Sequence, residues 1–484
     1  MKAGGLLRNT LLYLPAQLFA PLLQFVVTVV WTHLFDPAVY GVVAFVVAAQ
    51  ELTGGIGLAW WSVYLLRFRQ QYADAARFAA MDARVVAGGV FSQVVFAVPT
   101  LALVGLAPSP RLFAATAAYL ASRAMLNHYG EVARSNHRIG VYTLAQLSSP
   151  ALGSGLSIIA AIALKADAAT ALAAMALGQT AGIALTSIAL RRPLRLGRFD
   201  ASIFREARQF ALPLIFSGLF AWAASNGVRV LVGAGEGVAG VGLFSVGWGL
   251  GQRLAAMLAS LCAVASFPLA VDRLEAGDRD GALRQVSLNG ALMFGLMAPA
   301  AVGVALLAGP FVRLAVALQF QTQTIAILPL AVLAGAARAL RVHTGDQTAL
   351  LVQRTRSMTV FNLIDAVAAL AGGAVGVHFG GGVGAAVGCL AGTLAGSMAA
   401  MAFVVARLGL RLPLDALAGV LAASAIMGAA LSLVPPPIGA LGLATLIVVG
   451  AFIYAAAILV FFPQARRVGR RGFAVVAEWR RSDP

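Results

Sequence analysis

Long apolar runs recur along almost the whole chain, and this feature decides what it can fold into. A helix needs about 20 apolar residues to cross a hydrocarbon core, and in lipid a helix satisfies its backbone N–H and C=O groups internally. Stretches of that kind lie at 11–34, 40–65, 85–106, 112–130, 141–164, 168–190, 210–233, 238–268, 286–308, 322–342, 357–378, 382–406, 413–434 and 438–462. The expectation is an all-α polytopic membrane protein of about 14 transmembrane helices. Composition agrees. Of 484 residues, 60% are hydrophobic and 11% are charged, against about 25% charged in soluble domains. Mean hydropathy is +0.88. Between the ninth and tenth stretches, "GPFVRLAVALQFQTQ" reads as a short interfacial helix.

A net charge of +17 would suggest a nucleic-acid partner in a soluble chain. In a membrane protein, positive charge marks the cytoplasmic loops instead, and no nucleic acid is expected. With the spans above, 31 of the 35 basic residues fall on the side of the N-terminus. The other side holds Arg111, Lys165, Arg229 and Arg313. This bias puts both termini in the cytoplasm, and a wrong span count would scramble it. Lys2 and Lys165 are the only lysines, a bias of GC-rich genomes. That points to a multi-pass protein of a bacterial inner (plasma) membrane. Lys2 and Arg8 precede an apolar run too long for a signal-peptide core, so the first helix is expected to stay as an anchor.

No connection is long. The largest segments outside the spans are 191–209 and 463–484, which leaves no room for a soluble catalytic domain. No metal cluster, nucleotide loop or nucleophile constellation is visible. The chain therefore does not read as an enzyme, and no cofactor is expected. Cys262 and Cys389 lie in apolar runs and read as buried thiols. The tail "PQARRVGRRGFAVVAEWRR" places Phe473, Val476 and Trp479 at helical spacing. That suits a basic amphipathic helix on an anionic membrane face, and a solvated tail suits it nearly as well.

The chain also repeats itself. Helix 1 leads into "LFDPAVYGVVAFVVAAQE" and helix 7 into "GAGEGVAGVGLFSVGWGLGQR". Each carries an acidic turn, at Asp36 or Glu236, and each then opens a helix on a glycine, Gly41 or Gly242. Six spans separate the two, so the halves share one orientation, related by an axis along the membrane normal. Chance similarity between apolar segments is the plain alternative. The expected division is a six-helix lobe over 1–190, a basic linker over 191–209 and a second lobe over 210–406. Two extra helices over 407–462 and a basic tail over 463–484 follow.

Two six-helix halves also suit the major facilitator fold. Its loop between helices 2 and 3 usually carries a Gly/Asp/Arg signature, and "RFRQQYADAARFAAMDAR" does not match it. Four other stretches, "LFDPAVYGVVAF", "QELTGGIGLAWWSVYLLR", "VRVLVGAGEGVAGVGLFSVGWGL" and "FPLAVDRLEAGDRDGALRQ", resemble a different family. This is the multidrug/oligosaccharidyl-lipid/polysaccharide exporter superfamily, above all its polysaccharide branch of Wzx-type flippases. The resemblance is collinear over most of the chain. It implies two six-helix bundles around a central cavity walled by helices 1, 2, 7 and 8. The implied cargo is a polyprenyl-pyrophosphate-linked oligosaccharide, flipped from the cytoplasmic to the outer leaflet as a repeat unit of exopolysaccharide, O-antigen or capsule. Polysaccharide assembly proteins are then partners alongside the lipid bilayer. In one respect the chain departs: the branch commonly has an Asp just before the helix 7 Arg, and here that position is Val228.

Ionisable residues inside spans usually face a cavity and work in transport. The candidates are Glu51, Arg123, Asn226, Arg229, Arg253 and Asp365. Glu51 and Arg253 occupy nearly equivalent places after Gly41 and Gly242, and are expected either to meet across the lobes or each to find a local partner. Arg123 reads best as a snorkelling side chain. Arg229 reads as an outer-gate or cavity-rim residue, or as an anchor at a helix end. Arg338 and Arg341 read as positive-inside markers ending helix 10. Asp365, after Asn362, is either a proton-coupling site or a polar contact between helices. Gln17 and Gln24 suit sugars or interhelical bonds, and Pro15 and Pro21 would let helix 1 bend. The composition leaves room for a coupling ion, H+ or Na+. Arginine suits a pyrophosphate, whose oxygens a guanidinium forks. A cation-coupled multidrug antiporter of the same fold would favour mid-helix acids. A membrane-embedded polysaccharide assembly enzyme would need a sizeable outer loop.

Overall fold

A computed structural model of the protein describes residues 3–68, 75–103, 105, 109–191 and 199–461. The tail over 463–484 and residues 192–198 of the 191–209 linker lie outside the described residues. The elements are α1 (Ala3–Leu34), α2 (Pro37–Phe68), α3 (Ala75–Ala102), α4 (Pro110–Ser135), α5 (Ile139–Ala163), α6 (Ala168–Leu190) and α7 (Ala201–Asn226). They continue as α8 (Val228–Glu275), α9 (Arg279–Ala315), α10 (Leu318–Leu351), α11 (Thr355–Leu408), α12 (Leu414–Ser432) and α13 (Gly439–Phe461). Eleven helices among the described residues are long and apolar enough to cross a membrane. The protein is a multi-pass, all-α membrane protein.

Short polar residues start these helices. The Asp36 carboxylate accepts from the Val39 N–H at 2.8 Å, Asp167 from Thr170 at 2.7 Å and Asp278 from Gly281 at 2.7 Å. Asp200 caps α7 through Ser202 and Ile203. A side chain that satisfies these first N–H groups replaces the partner that the previous helical turn would have supplied. Several of the few acids thus mark helix ends.

Two helices are too long to cross once. α8 has 48 residues and α11 has 54, and at 1.5 Å per residue α11 would run about 80 Å if straight. Glycines with positive φ reverse both, Gly237 at +70° and Gly381 at +56°. The arms of α11 then pack backbone to backbone: a Cβ on Gly376 would overlap Gly384, and one on Gly372 would overlap Gly388. These breaks fall between the stretches 210–233 and 238–268, and between 357–378 and 382–406. The first arm of α8, up to Glu236, prolongs α7 past a one-residue irregularity at Gly227.

Two expectations need correction. The stretch "GPFVRLAVALQFQTQ" makes no interfacial helix: α9 runs to Ala315 and α10 opens at Leu318. The short link is held by Ala317 N–H donating to Thr32 at 3.2 Å and by Gln319 donating to the Phe35 carbonyl at 3.1 Å. Likewise α3 begins at Ala75 rather than 85, so Asp82 lies inside a helix and is buried. Trp61 and His128 bind its carboxylate, and a paired charge need not end a span.

The halves meet at the end of the bundle opposite the N-terminus. There α2 and α8 cross on Gly41 and Gly242, close enough that a Cβ on either would overlap the other helix's backbone. Tyr40 packs edge-on against Phe320 at 5.7 Å, and His33 bonds the Ala315 carbonyl at 3.1 Å. Small residues allow such backbone approach where lipid supplies no hydrophobic drive.

Candidate functional site

Glu51 lies midway along α2 yet is exposed, so the surface it shows is a cleft inside the bundle. Asn226, at the last turn of α7, donates to its carboxylate at 3.1 Å. Arg229 donates one guanidinium N–H to the Asn226 side-chain oxygen and another to Ser245 Oγ at 3.2 Å. The result is one hydrogen-bonded chain, Glu51–Asn226–Arg229–Ser245, that crosses from α2 to both arms of α8. Arg253, half-buried on α8, donates to Thr28 on α1. Arg229, Arg253 and Arg123 all lie near enough to Glu51 to act on it electrostatically. Three guanidiniums therefore act on one carboxylate, and one of them, Arg123, lines the space beside it together with Glu131.

The helix break beside this chain is deliberately closed. Arg338 on α10 donates to the Ala224 carbonyl at 3.0 Å, and the Trp248 indole to the Ser225 carbonyl at 3.1 Å. Carbonyls at a helix irregularity need such partners when water is absent. On the other lobe, Trp222 donates to the Ala48 carbonyl at 2.7 Å, one turn from Glu51.

Two spaces meet at Glu51. A polar cavity of about 410 Å³ is lined by Glu51, Ser62, Arg123, His128, Glu131 and Gln146 among others. It reaches from mid-span towards the end of α4, on the face that bears the N-terminus. An apolar pocket of about 190 Å³ lies between α2 and α7, lined by Glu51, Ile56, Trp60, Leu214 and Leu219. A third, apolar space of about 480 Å³ runs between Phe25, Leu254, Phe311, Leu443 and Tyr454.

The sequence candidates fare differently. Glu51, Asn226 and Arg229 come together in direct contact. Arg253 shares their electrostatic field, but its partner is Thr28, not Glu51. Arg123 faces the polar cavity, with one guanidinium nitrogen buried and unpartnered, so it does not snorkel to a headgroup. Arg229 is buried, because the helix continues beyond it to Glu236, and it is no surface anchor. Gln24 gives its carbonyl to Thr28 at 2.9 Å, and the side chain of Gln17 lies outside the described residues.

Asp365 stands apart, in the second lobe. Arg338 donates to it at 2.8 Å and Arg341 at 3.4 Å. Arg341 is also paired with Asp346 at 3.2 Å and bound to Asn362 at 2.8 Å. These arginines are interior ion-pair partners, which corrects their reading as loop markers. The acids that neutralise them stand 24 or more residues away in Asp365, or across an irregular turn at Arg341–Asp346, where no helical periodicity exposes the pairing.

Sequence reasoning passed over a second cluster. His128 on α4 places Nε2 3.1 Å from Asp82 Oδ1 and Nδ1 3.0 Å from Ser62 Oγ. The Trp61 indole donates to the same carboxylate oxygen at 2.7 Å. One signal was present: α4 is not among the apolar spanning helices, since its second half carries Arg123, His128, Glu131 and Arg134. A polar helix inside such a bundle points at a lined cavity. Among the described residues no group of three or more His, Cys, Asp or Glu could hold a metal ion.

Comparison with solved structures agrees with the architecture. A lipid II flippase, MurJ, in an inward closed conformation superposes with a TM-score of 0.75 at 13% identity, covering 94% of this chain and 99% of that one. An inward-facing multidrug resistance MATE family transporter of the MOP superfamily gives 0.60 at 15% identity, covering 82% and 98%. The Vibrio cholerae MATE transporter VcmN in its bent form gives 0.53 at 16%, covering 84% and 98%. At these identities the likeness shows the fold. No curated protein sequence matches the chain. A family model described as polysaccharide biosynthesis protein matches residues 30–324, more than half of the chain, and the protein belongs to that family, on the fold of the multidrug/oligosaccharidyl-lipid/polysaccharide exporters.

Proposed function

We propose that the protein flips a polyprenyl-pyrophosphate-linked oligosaccharide from the cytoplasmic to the outer leaflet by alternating access, as a step in exopolysaccharide, O-antigen or capsule assembly. The observation that carries this reading is the meeting at Glu51 of an apolar pocket with a polar cavity onto which Arg123 faces, one of its guanidinium nitrogens buried and unpartnered. An anionic headgroup with sugars needs cations and hydrogen-bonding walls, and its lipid needs an apolar path. The long apolar space along α9, α12 and α13 suits a polyprenyl tail. Packing of the halves around Gly41 and Gly242, with the cavity reaching the N-terminal face, fits a cavity filled from the cytoplasm. This orientation, an inner-membrane location and assembly-protein partners belong to the same proposal. A MATE-type drug antiporter is the rival, and a cationic drug would meet Arg123 in the cavity wall, with Arg229 and Arg253 acting on Glu51 nearby.

The test is flipping of a fluorescent lipid-linked glycan in proteoliposomes, with Arg253→Ala beside the wild type. The expected result is flipping by the wild type and a loss of roughly tenfold or more in the variant, the scale of one charge-assisted contact. Normal flipping by Arg253→Ala would remove the cationic site, and transport of cationic dyes with no glycan flipping would select the antiporter.

A further inference from the structure

We infer that His128, Asp82 and Ser62 form a proton-binding site that sets the position of the N-terminal-face half of α2. It rests on the transport reading only in its purpose, because the proton and the movement are both measurable without cargo.

The geometry is that of a buried proton acceptor with defined partners. His128 is 3% exposed and Asp82 7%. An ionised carboxylate only accepts, so Nε2–H donates to Asp82 and Nδ1 accepts from the Ser62 hydroxyl. The imidazole edge belongs to the lining of the polar cavity, together with Glu131 one turn further along α4. A proton from the N-terminal face reaches it by that route. Uptake adds one proton to Nδ1 and breaks no covalent bond. Nδ1–H then donates to Ser62 Oγ, and the serine hydroxyl hydrogen must turn away from the ring. His128 and Asp82 become an ion pair.

Among the described residues, the charged and titratable groups around the ring come from each neighbouring helix. α3 gives Asp82, with Arg84 two residues on. α2 gives Glu51 in the shared cavity and Tyr64 beside Trp61. α4 itself gives Arg123, Tyr129 and Glu131, the last paired with Arg134 at 3.5 Å. α5 gives the neutral Gln146 and α6 the neutral Gln179, bound to Ser122. Asp82 is the only acid within ion-pair distance of the imidazole among these.

A mechanical link joins this site to Glu51. Between Glu51 and Ser62, α2 changes to a π-helical segment, Gly55–Ala59, and such segments often sit at functional sites. Gln93 on α3 donates to the Thr53 carbonyl at 2.9 Å, just before the segment. A Cβ on Gly57 would overlap the Gln93 side chain, and one on Gly89 would overlap the Gly57 carbonyl. Thus α3 grips the irregular turn and also carries Asp82, while Trp61 and Ser62 lie beyond the turn. Reversing the Ser62 hydrogen bond acts on the α2 segment below the irregularity, with Glu51 and the cleft above it.

The test uses the full chain in detergent, without cargo. Acid–base titration between roughly pH 8 and pH 5 should show the wild type taking up about one proton per chain more than His128→Gln. Spin labels at the exposed Val63, below the π-helical turn, and the exposed Ile188 on α6 report the movement. Their distance distribution should shift over the same range with His128 present and stay fixed in His128→Gln. Ser62→Ala should keep the proton uptake and lose the shift, which serves as the second variant if His128→Gln does not assemble. Equal proton counts in wild type and His128→Gln, or a shift unchanged in Ser62→Ala, overturn the proposal. Loss of glycan flipping in an otherwise responsive protein would instead count against the transport reading alone.

Discussion

Gly41 and Gly242 contact each other's helix reciprocally: a Cβ on Gly41 would strike the carbonyl of Val238, and a Cβ on Gly242 would strike the carbonyl of Pro37. In each helix the obstructing carbonyl lies four residues before that helix's own glycine. The contact therefore sits on a local two-fold axis between the halves.

Substituting leucine for either glycine should open this crossing. Gly41→Leu and Gly242→Leu are each expected to lower the thermal midpoint in detergent, with a cost of about 1–3 kcal/mol for forced overpacking. They should also raise the access of a membrane-impermeant reagent to a cysteine placed at Thr32. Unchanged stability in both variants would mean that the helices are not held at this distance.

Asp365 is an ion-pair partner of two interior arginines, Arg338 and the fully buried Arg341, and Asp365→Asn should be strongly destabilising. Removing one partner of a buried ion pair costs about 3–5 kcal/mol, because the other charge stays buried. Thermal unfolding should show this loss, and Asp365→Asn combined with Arg338→Met should recover part of it. A second variant as unstable as the single one would place the importance of Arg338 in its bond to the Ala224 carbonyl.

Arg229 orients Asn226, which in turn holds Glu51. Arg229→Lys keeps the charge but loses the fork that reaches both Asn226 and Ser245. Flipping in proteoliposomes is expected to fall by about tenfold in this variant, as one charged hydrogen bond is worth. Near-normal flipping would show that charge alone suffices at this position.

At the opposite face, Asp167 caps the start of α6. Burial pushes its carboxyl up, but the Thr170 N–H and hydroxyl, with Arg111 and Lys165, outweigh this and hold it below the usual carboxylate range. A depressed acid stabilises the fold above its unfolded value, about 3.9, and that stability is lost as pH falls through the folded value. The protection of amides at the start of α6 against hydrogen exchange, relative to the intrinsic rate at each pH, should therefore fall in acid in the wild type. Asp167→Asn should show lower protection at neutral pH and change it little in acid.

The sequence displayed the architecture through features of long range along the chain. Apolar length gave the spans, and the repeated Tyr-Gly and Val-Gly openings picked out two glycines that touch. Glu51, Asn226 and Arg229 were visible as polar groups in apolar runs. Their wiring was not, since Asn226 and Glu51 are 175 residues apart and nothing in a linear pattern chooses between Asn226 and Arg253 as the partner. Arg338 and Arg341 misled for one shared reason. Charge near a span end looks like a boundary, and only the packed bundle shows that each has a counter-charge inside it.

The folded-back arms of α11 have a mechanical consequence. Where Gly372, Gly376, Gly384 and Gly388 put backbone against backbone, there is no side chain whose rotation could let one arm slide past the other. The pair is a stiff strut within the second half. Bending during any transport cycle then falls to places where the helical ladder is already interrupted, among them Gly227 beside Asn226 and the π-helical turn of α2. Glu51 lies between these two compliant points, so a small flexure at either one is delivered to the same carboxylate.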